Sequence, residues 1–300
     1  MTIRELLIDR YAVLKGLRDR SIHIMSETID RLDEFLGRPA VLEDFTDLTM
    51  AKFLRWRAQT PRKGRLVAPA TVAKDKAHLS ALASHAARKK LIAEFVEFPR
   101  MKVPTRPPRG YTVDEVSAIV REARHRRGRL GDVPAAWFWV TLPMAAWETG
   151  ERIGGLLHVR WGEVDLDRRV ITFLGEGRKD HVTTIERTIS PTLCDYLKPQ
   201  QRADSQLVWP WLEHRKENSI YPSLQKLCKA AGVKARGFHA IRKASGSYVK
   251  AGGGDATEHL GHASPRTTQK HYLDTRIVGR QSALDYLPPL DLGGGPRKPR

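Results

Sequence analysis

The sequence predicts a mainly α-helical protein with a small β-sheet, divided into two domains. Apolar residues recur at spacings of three and four along the first hundred residues, which is typical of amphipathic helices. Strand-like patterning is concentrated after residue 163, and a segment rich in proline and basic residues interrupts the helical pattern near residue 100. We therefore expect helices in both domains and the sheet in the second.

Residues 1–98 form the first predicted domain, which consists of helices joined by polar turns. The clearest helix carries four apolar residues at spacings of four, three and four, which places them on one face: Met25, Ile29, Leu32 and Leu36. Cap candidates from Asp47 onward predict a second helix that buries Met50. A third, long helix follows Pro69, and its basic residues are typical of a solvated face.

A linker is predicted at residues 99–110, where prolines and basic side chains occur without apolar periodicity. Proline removes a backbone donor and stiffens the chain, so an extended segment is favoured. Thr112 and Glu115 then have the spacing of a helical capping box. They begin the second predicted domain, residues 111–287.

The second domain is expected to contain a β-hairpin between helical segments. A short helix is predicted within Arg152–Trp161, and a strand follows at Val164–Phe173. A turn at Gly175–Asp180 leads to a second strand, His181–Ile189, and helices resume after Pro191. Residues 288–300 are rich in proline, glycine and basic side chains, and we expect this tail to be disordered.

The composition favours a nucleic-acid partner. The formal net charge is +18, and a basic excess of this size attracts polyanions because each neutralised phosphate releases counterions. A basic protein that binds nothing, or that binds acidic proteins or a membrane surface, is the alternative. No long apolar run or signal-peptide pattern occurs, so we expect a cytoplasmic protein with no membrane partner. Cys194 and Cys228 have no metal-ligand spacing and are expected to be buried thiols.

Four motifs in the second half of the chain resemble those of tyrosine recombinases of the phage-integrase type. Thr149–Trp161 resembles the first arginine motif of that family, with Arg152 as its arginine. The others, in order, are His239-Ala-Ile-Arg242, Leu260-Gly-His262 and Thr267-Thr-Gln-Lys-His-Tyr272. One such motif is weak evidence, whereas four in the family's order and approximate spacing are strong. The resemblance covers nearly the whole chain.

The resemblance implies a site-specific DNA recombinase or integrase. Its fold would be a helical, SAM-like core-binding domain followed by a mixed α/β catalytic domain, and the two would close around double-stranded DNA. The family acts as a homotetramer on two DNA sites, without a cofactor, ATP or a small-molecule substrate. The catalytic residues it implies are Arg152, Lys179, His239, Arg242, His262 and Tyr272, with Tyr272 forming a 3′-phosphotyrosyl bond.

These residue types also suit phosphodiester chemistry. Arg152 and Arg242 can each bind phosphate through two N–H groups and remain charged. His239 and His262 can supply hydrogen bonds and transfer protons, and a tyrosine hydroxyl can capture the phosphate covalently. His259 and His262 could also suggest a metal pair, but no third ligand stands at a recognisable spacing.

The sequence departs from the family at three places. Gly155 stands where many members have a glutamate three residues after the first arginine. The hairpin lysine that serves the family as general acid is ambiguous, since one count reaches Glu176 and the other reaches Lys179, which we choose. Tyr272 lies ten residues after His262 instead of nine, and His271 holds the ninth place.

Two other functions remain open at this point. A catalytically silent DNA-binding relative, acting as a regulator or accessory factor, would fit if the departures have disabled the chemistry. A helical DNA-binding regulator or basic interaction protein with accidental motif matches is the second. Only the recombinase family predicts that Arg152, His239, Arg242, His262 and Tyr272 converge in space.

Overall fold

The computed structural model describes residues 1–62, 64–104, 106–175 and 183–279. The chain forms two compact units, Met1–Arg106 and Pro107–Arg300. Their border falls inside the proline-rich segment 99–110, while the domain bounds given above stay a prediction. The expected tail at 288–300 lies outside the described residues.

The first unit is helical, as the sequence predicts. Thr46 caps α4 by accepting a hydrogen bond from the Thr49 N–H at 3.2 Å, so this helix is capped one residue before the expected segment. Pro69 occupies the first turn of α5. The elements are α1 (Ile3–Glu5), a π-helical segment (Leu6–Ala12), α2 (Val13–Lys15), α3 (Asp19–Leu36), α4 (Asp47–Gln59) and α5 (Pro69–Arg88).

The core of this unit lies between α3, α4 and α5. Met25, Ile29 and Leu32 are buried on one face of α3, which confirms the predicted face. A buried ion pair reinforces the packing, because Arg57 of α4 donates to the Asp75 carboxylate of α5 at 2.9 Å. Each of the two buried charges loses its hydration, and its attraction to the other charge offsets that cost.

The second unit combines ten helices with five short strands among its described residues. The Thr112–Glu115 capping box is present at the start of α6, as predicted. The elements are α6 (Val113–Ala123), β1 (Arg129–Leu130), β2 (Val133–Pro134), α7 (Ala135–Thr149), α8 (Ile153–Leu157), β3 (Val164–Asp165), β4 (Val170–Phe173), β5 (Ile185–Thr188), α9 (Pro191–Leu197), α10 (Trp211–His214), α11 (Ile220–Ala230), α12 (Phe238–Ala251), α13 (Ala256–Leu260), α14 (Pro265–His271) and α15 (Thr275–Val278).

β1 pairs with β2, and a larger sheet has three antiparallel strands in the order β3-β4-β5, with Ile171 paired to both Val164 and Arg187. The single strand predicted at Val164–Phe173 is therefore wrong. A turn divides it, since the Asp165 carboxylate accepts a hydrogen bond from the Arg168 N–H at 2.8 Å and Arg169 has a φ of 57°. Residues 176–182, which contain most of the predicted turn, lie outside the described residues.

Helix α7 runs through the middle of the second unit and packs against α6, α9 and α12. It is apolar on nearly all sides, which is typical of a fully buried helix. Gly150 ends it in the left-handed region, with a φ of 61°. This ending places the next residues, Glu151 and Arg152, beside the N-terminal half of α12. No helix within the described ranges is long and apolar enough to cross a bilayer.

Candidate active site

Arg242 is the buried centre of the site, with 1% of its surface exposed. From α12, its Nη1 donates to the carbonyl of Gly150. Its Nη2 donates to the carbonyl of Leu260 at 2.5 Å and lies 3.1 Å from Nε2 of His262. The guanidinium therefore joins the ends of α7 and α13 to the N-terminal half of α12, which holds it in one orientation.

Burial and the neighbouring charge of Arg152 both disfavour the charged form of Arg242. Burial, followed by the charge of Arg152, lowers the pKa of Arg242 to about 10. The Glu151 carboxylate and the Tyr272 phenol act in the opposite direction. Arg242 still carries its charge at neutral pH, so the site can attract an anion.

His262 follows Gly261, whose φ of 59° ends α13 as the Leu-Gly-His motif predicts. Its Nε2 must accept from Arg242, because a guanidinium only donates. Nδ1 then carries the hydrogen and donates to Oγ1 of Thr268 at 2.8 Å. Burial, and then the charges of Arg242 and Arg152, lower the pKa of His262 to about 4. The ring is neutral at physiological pH.

Tyr272 packs directly onto this cluster and is 8% exposed. Its ring centroid lies 4.2 Å from that of His262 and 5.0 Å from that of His239, and Cζ of Arg242 lies 5.5 Å from it. His271 is exposed and outside these contacts. The structure thus brings Tyr272 to the cluster despite its displaced spacing.

A short helix, α14, precedes Tyr272. Ser264 occupies the N-cap position of α14 and Pro265 begins its first turn. The helix ends at His271, and Tyr272 is its C-cap residue. Tyr272 therefore lies at the end of the helix and not within it. The one additional residue between His262 and Tyr272 need not rotate the tyrosine ring away from Arg242.

His239 lies at the exposed start of α12, beside the tyrosine ring. Desolvation, followed by the charges of Lys243, Arg242 and Arg152, lowers its pKa. His239 is neutral near pH 7 and accessible from outside the cluster.

Arg152 is the N-cap residue of α8, and 32% of its side chain is exposed. Its charge lowers the pKa of Arg242, His239 and His262, so it lies near all three. Glu151, which our sequence analysis did not identify, is buried beside it. In the sequence, the feature that could have identified Glu151 was its position directly before the motif arginine, Arg152.

The structure brings five predicted residues together: Arg152, His239, Arg242, His262 and Tyr272. Their catalytic roles stay predictions. Lys179 and the alternative Glu176 both lie outside the described residues.

The remaining candidate groups are His259 and the two cysteines. His259 Nε2 lies 2.6 Å from Oγ of Ser245. Within the described ranges, no three His, Cys, Asp or Glu side chains are grouped so that they could hold a metal. Cys194 and Cys228 are buried free thiols, as predicted.

Comparison with known sequences identifies the family. The model of the family described as "Phage integrase family" matches residues 112–277, more than half of the chain. The chain therefore belongs to the phage integrase family, the tyrosine recombinases. The mainly helical fold with a small sheet and a mixed α/β catalytic part is the fold predicted from the sequence.

The individual relatives are distant. The chain is 23% identical to the tyrosine recombinase XerC of Corynebacterium efficiens over 257 residues, which cover 80% of this chain and 78% of the relative. It is 24% identical to the tyrosine recombinase XerC of Corynebacterium glutamicum over 139 residues. That match spans 43% of this chain and less than half of the relative, 45%.

Solved structures share the fold. The Tn1549 transposon integrase in complex with transposon right end DNA is similar with a TM-score of 0.70 and 12% identity, covering 95% of this chain and 97% of that one. A lambda integrase dimer bound to a COC′ core site gives a TM-score of 0.66 and 18% identity, covering 97% of this chain and 81% of that one. At these identities the likeness establishes the fold alone.

Proposed function

We propose that this protein is a site-specific recombinase or integrase that cleaves and rejoins double-stranded DNA through Tyr272. The observation that carries the proposal is the packing of the Tyr272 ring against Arg242, His239 and His262. A nucleophile, a buried cation and two neutral imidazoles then surround one position for a phosphate. Membership of the family and the DNA present in the similar solved structures support this proposal.

Arg152 and Arg242 bind the non-bridging oxygens of the scissile phosphate in the proposed reaction. Negative charge builds on these oxygens during attack, and donors fixed in advance stabilise it without reorganisation. Arg242 fits this role because its bonds to the Gly150 and Leu260 carbonyls hold its position before DNA arrives. Arg152 is exposed enough to contact a ligand directly.

Tyr272 attacks the phosphorus through its phenol oxygen. The bond from phosphorus to the 5′-oxygen breaks, which leaves a 3′-phosphotyrosyl bond and a strand with a free 5′-hydroxyl. Rejoining is the reverse reaction with a 5′-hydroxyl as nucleophile. Because the phosphotyrosyl bond conserves the energy of the phosphodiester, this cycle needs no ATP, and the two guanidiniums supply the positive charge.

Protons move at two positions in this reaction. The phenol loses its proton as it attacks, and in the proposed reaction His239, which is neutral and lies beside the ring, hydrogen-bonds the phosphate or accepts that proton. The departing 5′-oxygen needs an acid. We assign that role to Lys179 on the family resemblance.

Double-stranded DNA is the proposed partner of both units. The net charge of +18 favours contact with many phosphates, so affinity should fall steeply between roughly 50 and 200 mM salt. We further propose a homotetramer on two DNA sites. A lambda integrase tetramer bound to a Holliday junction is similar to this chain, with a TM-score of 0.67 and 19% identity over 94% of this chain and 79% of that one.

A nicked duplex that traps the covalent intermediate tests this function. The duplex should carry the sequences beside the gene, where the native site is expected. The wild-type protein should form a covalent adduct, Tyr272→Phe should form none, and His271→Ala should keep it. Binding of the same duplex should be nearly unchanged in Tyr272→Phe, since only a hydroxyl is lost.

Two results would count against the proposal. An adduct formed by Tyr272→Phe would show that the nucleophile is wrongly assigned. Specific binding of the native site without any adduct would favour the catalytically silent DNA-binding relative.

A further inference from the structure

Glu151 fills the space that a side chain at position 155 would otherwise occupy. Gly155 is buried in α8, and a Cβ atom added there would lie 2.9 Å from Cγ of Glu151. The same Cβ would lie 3.4 Å from both Cδ and Oε1 of Glu151. Because buried atoms pack at van der Waals distances, the present Glu151 conformation and a side chain at 155 exclude each other.

The Glu151 carboxylate lies between the two arginines of the site. Its Oε1 is 3.8 Å from Nη1 of Arg242 and 3.9 Å from Nη1 of Arg152. These oxygen–nitrogen distances are too long for hydrogen bonds. In a buried setting they are short enough for a strong attraction between the opposite charges. Oε1 also accepts a hydrogen bond from the backbone N–H of Arg152 at 2.8 Å. That bond fixes the carboxylate relative to the helix start.

The charge of Glu151 offsets repulsion between the arginines. Arg152 lowers the pKa of Arg242, whereas Glu151 raises it. The Glu151 side chain is only 2% exposed, so its charge is weakly screened by water. Removal of this carboxylate would leave two guanidiniums with less opposing charge around them, and the more exposed Arg152 would be free to turn outward.

We propose that Glu151 is a positioning residue for Arg152 and Arg242, and that it replaces the glutamate that many family members carry at the position of Gly155. The carboxylate has moved four residues toward the N-terminus, and the glycine is what makes room for it. This proposal rests on the proposed recombinase function, because the two arginines it positions are those that would bind the phosphate.

An exchange of the two residues tests the proposal. Glu151→Ala should slow single-turnover cleavage of a trapping duplex by roughly 10–100-fold, because misplacement of a catalytic group by about 1 Å can cost that much. Gly155→Glu should also impair cleavage, since its side chain meets Glu151. The double variant Glu151→Ala/Gly155→Glu should recover to within about tenfold of the wild type, as expected for two coupled positions.

Two matched variants separate charge from space. Glu151→Ala/Gly155→Gln fills the same volume without the charge and should not recover cleavage. Glu151→Gln keeps the size of the wild-type side chain and should be slowed as well, while its DNA affinity stays near that of the wild type. Full cleavage by Glu151→Ala, or equal recovery with Gln and Glu at 155, would overturn the proposal.

Thermal unfolding of the same variants keeps this test separate from the proposed function. If the wild type forms no adduct that depends on Tyr272, the recombinase function fails, but the coupling can still be measured. Gly155→Glu should lower the unfolding temperature of the wild type more than that of Glu151→Ala. Equal effects in both backgrounds would contradict the proposed replacement.

Discussion

The two arginines of the proposed active site are held in different ways. Arg242 is buried in α12 and bonds to two backbone carbonyls and to His262, so the fold itself determines its orientation. Arg152 stands at a helix start with a third of its side chain exposed, and its Nη1 lies 3.9 Å from the Glu151 carboxylate. The region around Arg242 is thus organised by the core, and the region around Arg152 by one carboxylate.

This difference separates stability from catalysis. A residue that forms hydrogen bonds within the core and also binds a ligand contributes to stability and to catalysis. An exposed ligand-binding residue contributes mainly to catalysis. We therefore expect loss of Arg242 to affect folding and cleavage together. Loss of Arg152 should affect cleavage alone.

Arg242→Lys should have the largest effect. A lysine ammonium cannot reproduce the three directed contacts of the guanidinium, so buried acceptors lose their donors. We expect cleavage to fall by about 10²–10³-fold and the free energy of unfolding to fall by about 2–4 kcal/mol. Adduct formation measures the cleavage, and chemical denaturation measures the free energy of unfolding. Arg168→Lys, on the exposed surface, is the control, and an unchanged free energy of unfolding in Arg242→Lys would be evidence against a core role.

Arg152→Lys should reduce cleavage by about 10²-fold, because one bidentate donor to the phosphate is lost. Its free energy of unfolding should change by less than about 0.5 kcal/mol, as is usual for a partly exposed side chain. The same two assays apply. A loss of stability equal to that of Arg242→Lys would remove the distinction between the two regions.

The sequence predicted the arginine region of α12 better than that of α8. His239, Arg242 and His262 were identified because their motifs resemble those of tyrosine recombinases, and the helix end at Gly261 is a local pattern. The sequence shows that Glu151 adjoins Arg152, but it does not show what Glu151 does. Its role depends on the space left by Gly155 and on the approach of α12, and both are tertiary features.

The same dependence on tertiary features explains where the fold predicted from the sequence was wrong or incomplete. Helix α7 escaped prediction because a helix buried on all sides shows no apolar periodicity. The predicted strand at Val164–Phe173 is divided by a turn, which the Asp165 carboxylate closes. Asp165 itself lies in β3, and its hydropathy only partly resembles that of the strand residues around it. Capping by Thr112 and Glu115 was predictable because it is local.

Thr268→Val should have a smaller effect on cleavage, roughly tenfold. Thr268 is buried and accepts the Nδ1 hydrogen of His262, which leaves Nε2 directed at Arg242. Valine keeps the shape and removes that acceptor, so the imidazole loses its fixed orientation. Thr268→Ser retains the hydroxyl and should cleave at nearly the wild-type rate. Equal rates for the valine and serine variants would show that the hydroxyl does not orient His262.

The pH dependence of stability should be the smallest effect. Burial, followed by nearby arginine charges, lowers the pKa of His259 and His262 from 6.5 to about 4 in the folded protein. Below pH 6.5 the unfolded chain therefore binds more protons than the folded one. The unfolding temperature should be constant above about pH 6.5 and fall between pH 6.5 and 4.

The histidine contribution to this fall can be isolated. His259→Gln should make the decline in unfolding temperature shallower, because one of the histidines that gain a proton on unfolding is removed. His125, which is exposed on the same unit, gives a control substitution, His125→Gln, that should keep the wild-type slope. A decline identical in all three proteins would assign it to other groups.

The identity of the nucleophile is the central claim, and peptide mapping of the trapped protein–DNA adduct tests it most directly. After digestion of the protein and the DNA, tandem mass spectrometry can locate the residual nucleotide on Tyr272 or on the neighbouring His271. We predict an acid-stable phosphodiester on Tyr272, because its ring contacts Arg242, His239 and His262 while His271 is exposed. A nucleotide on His271, or on any residue outside the cluster, would contradict the account.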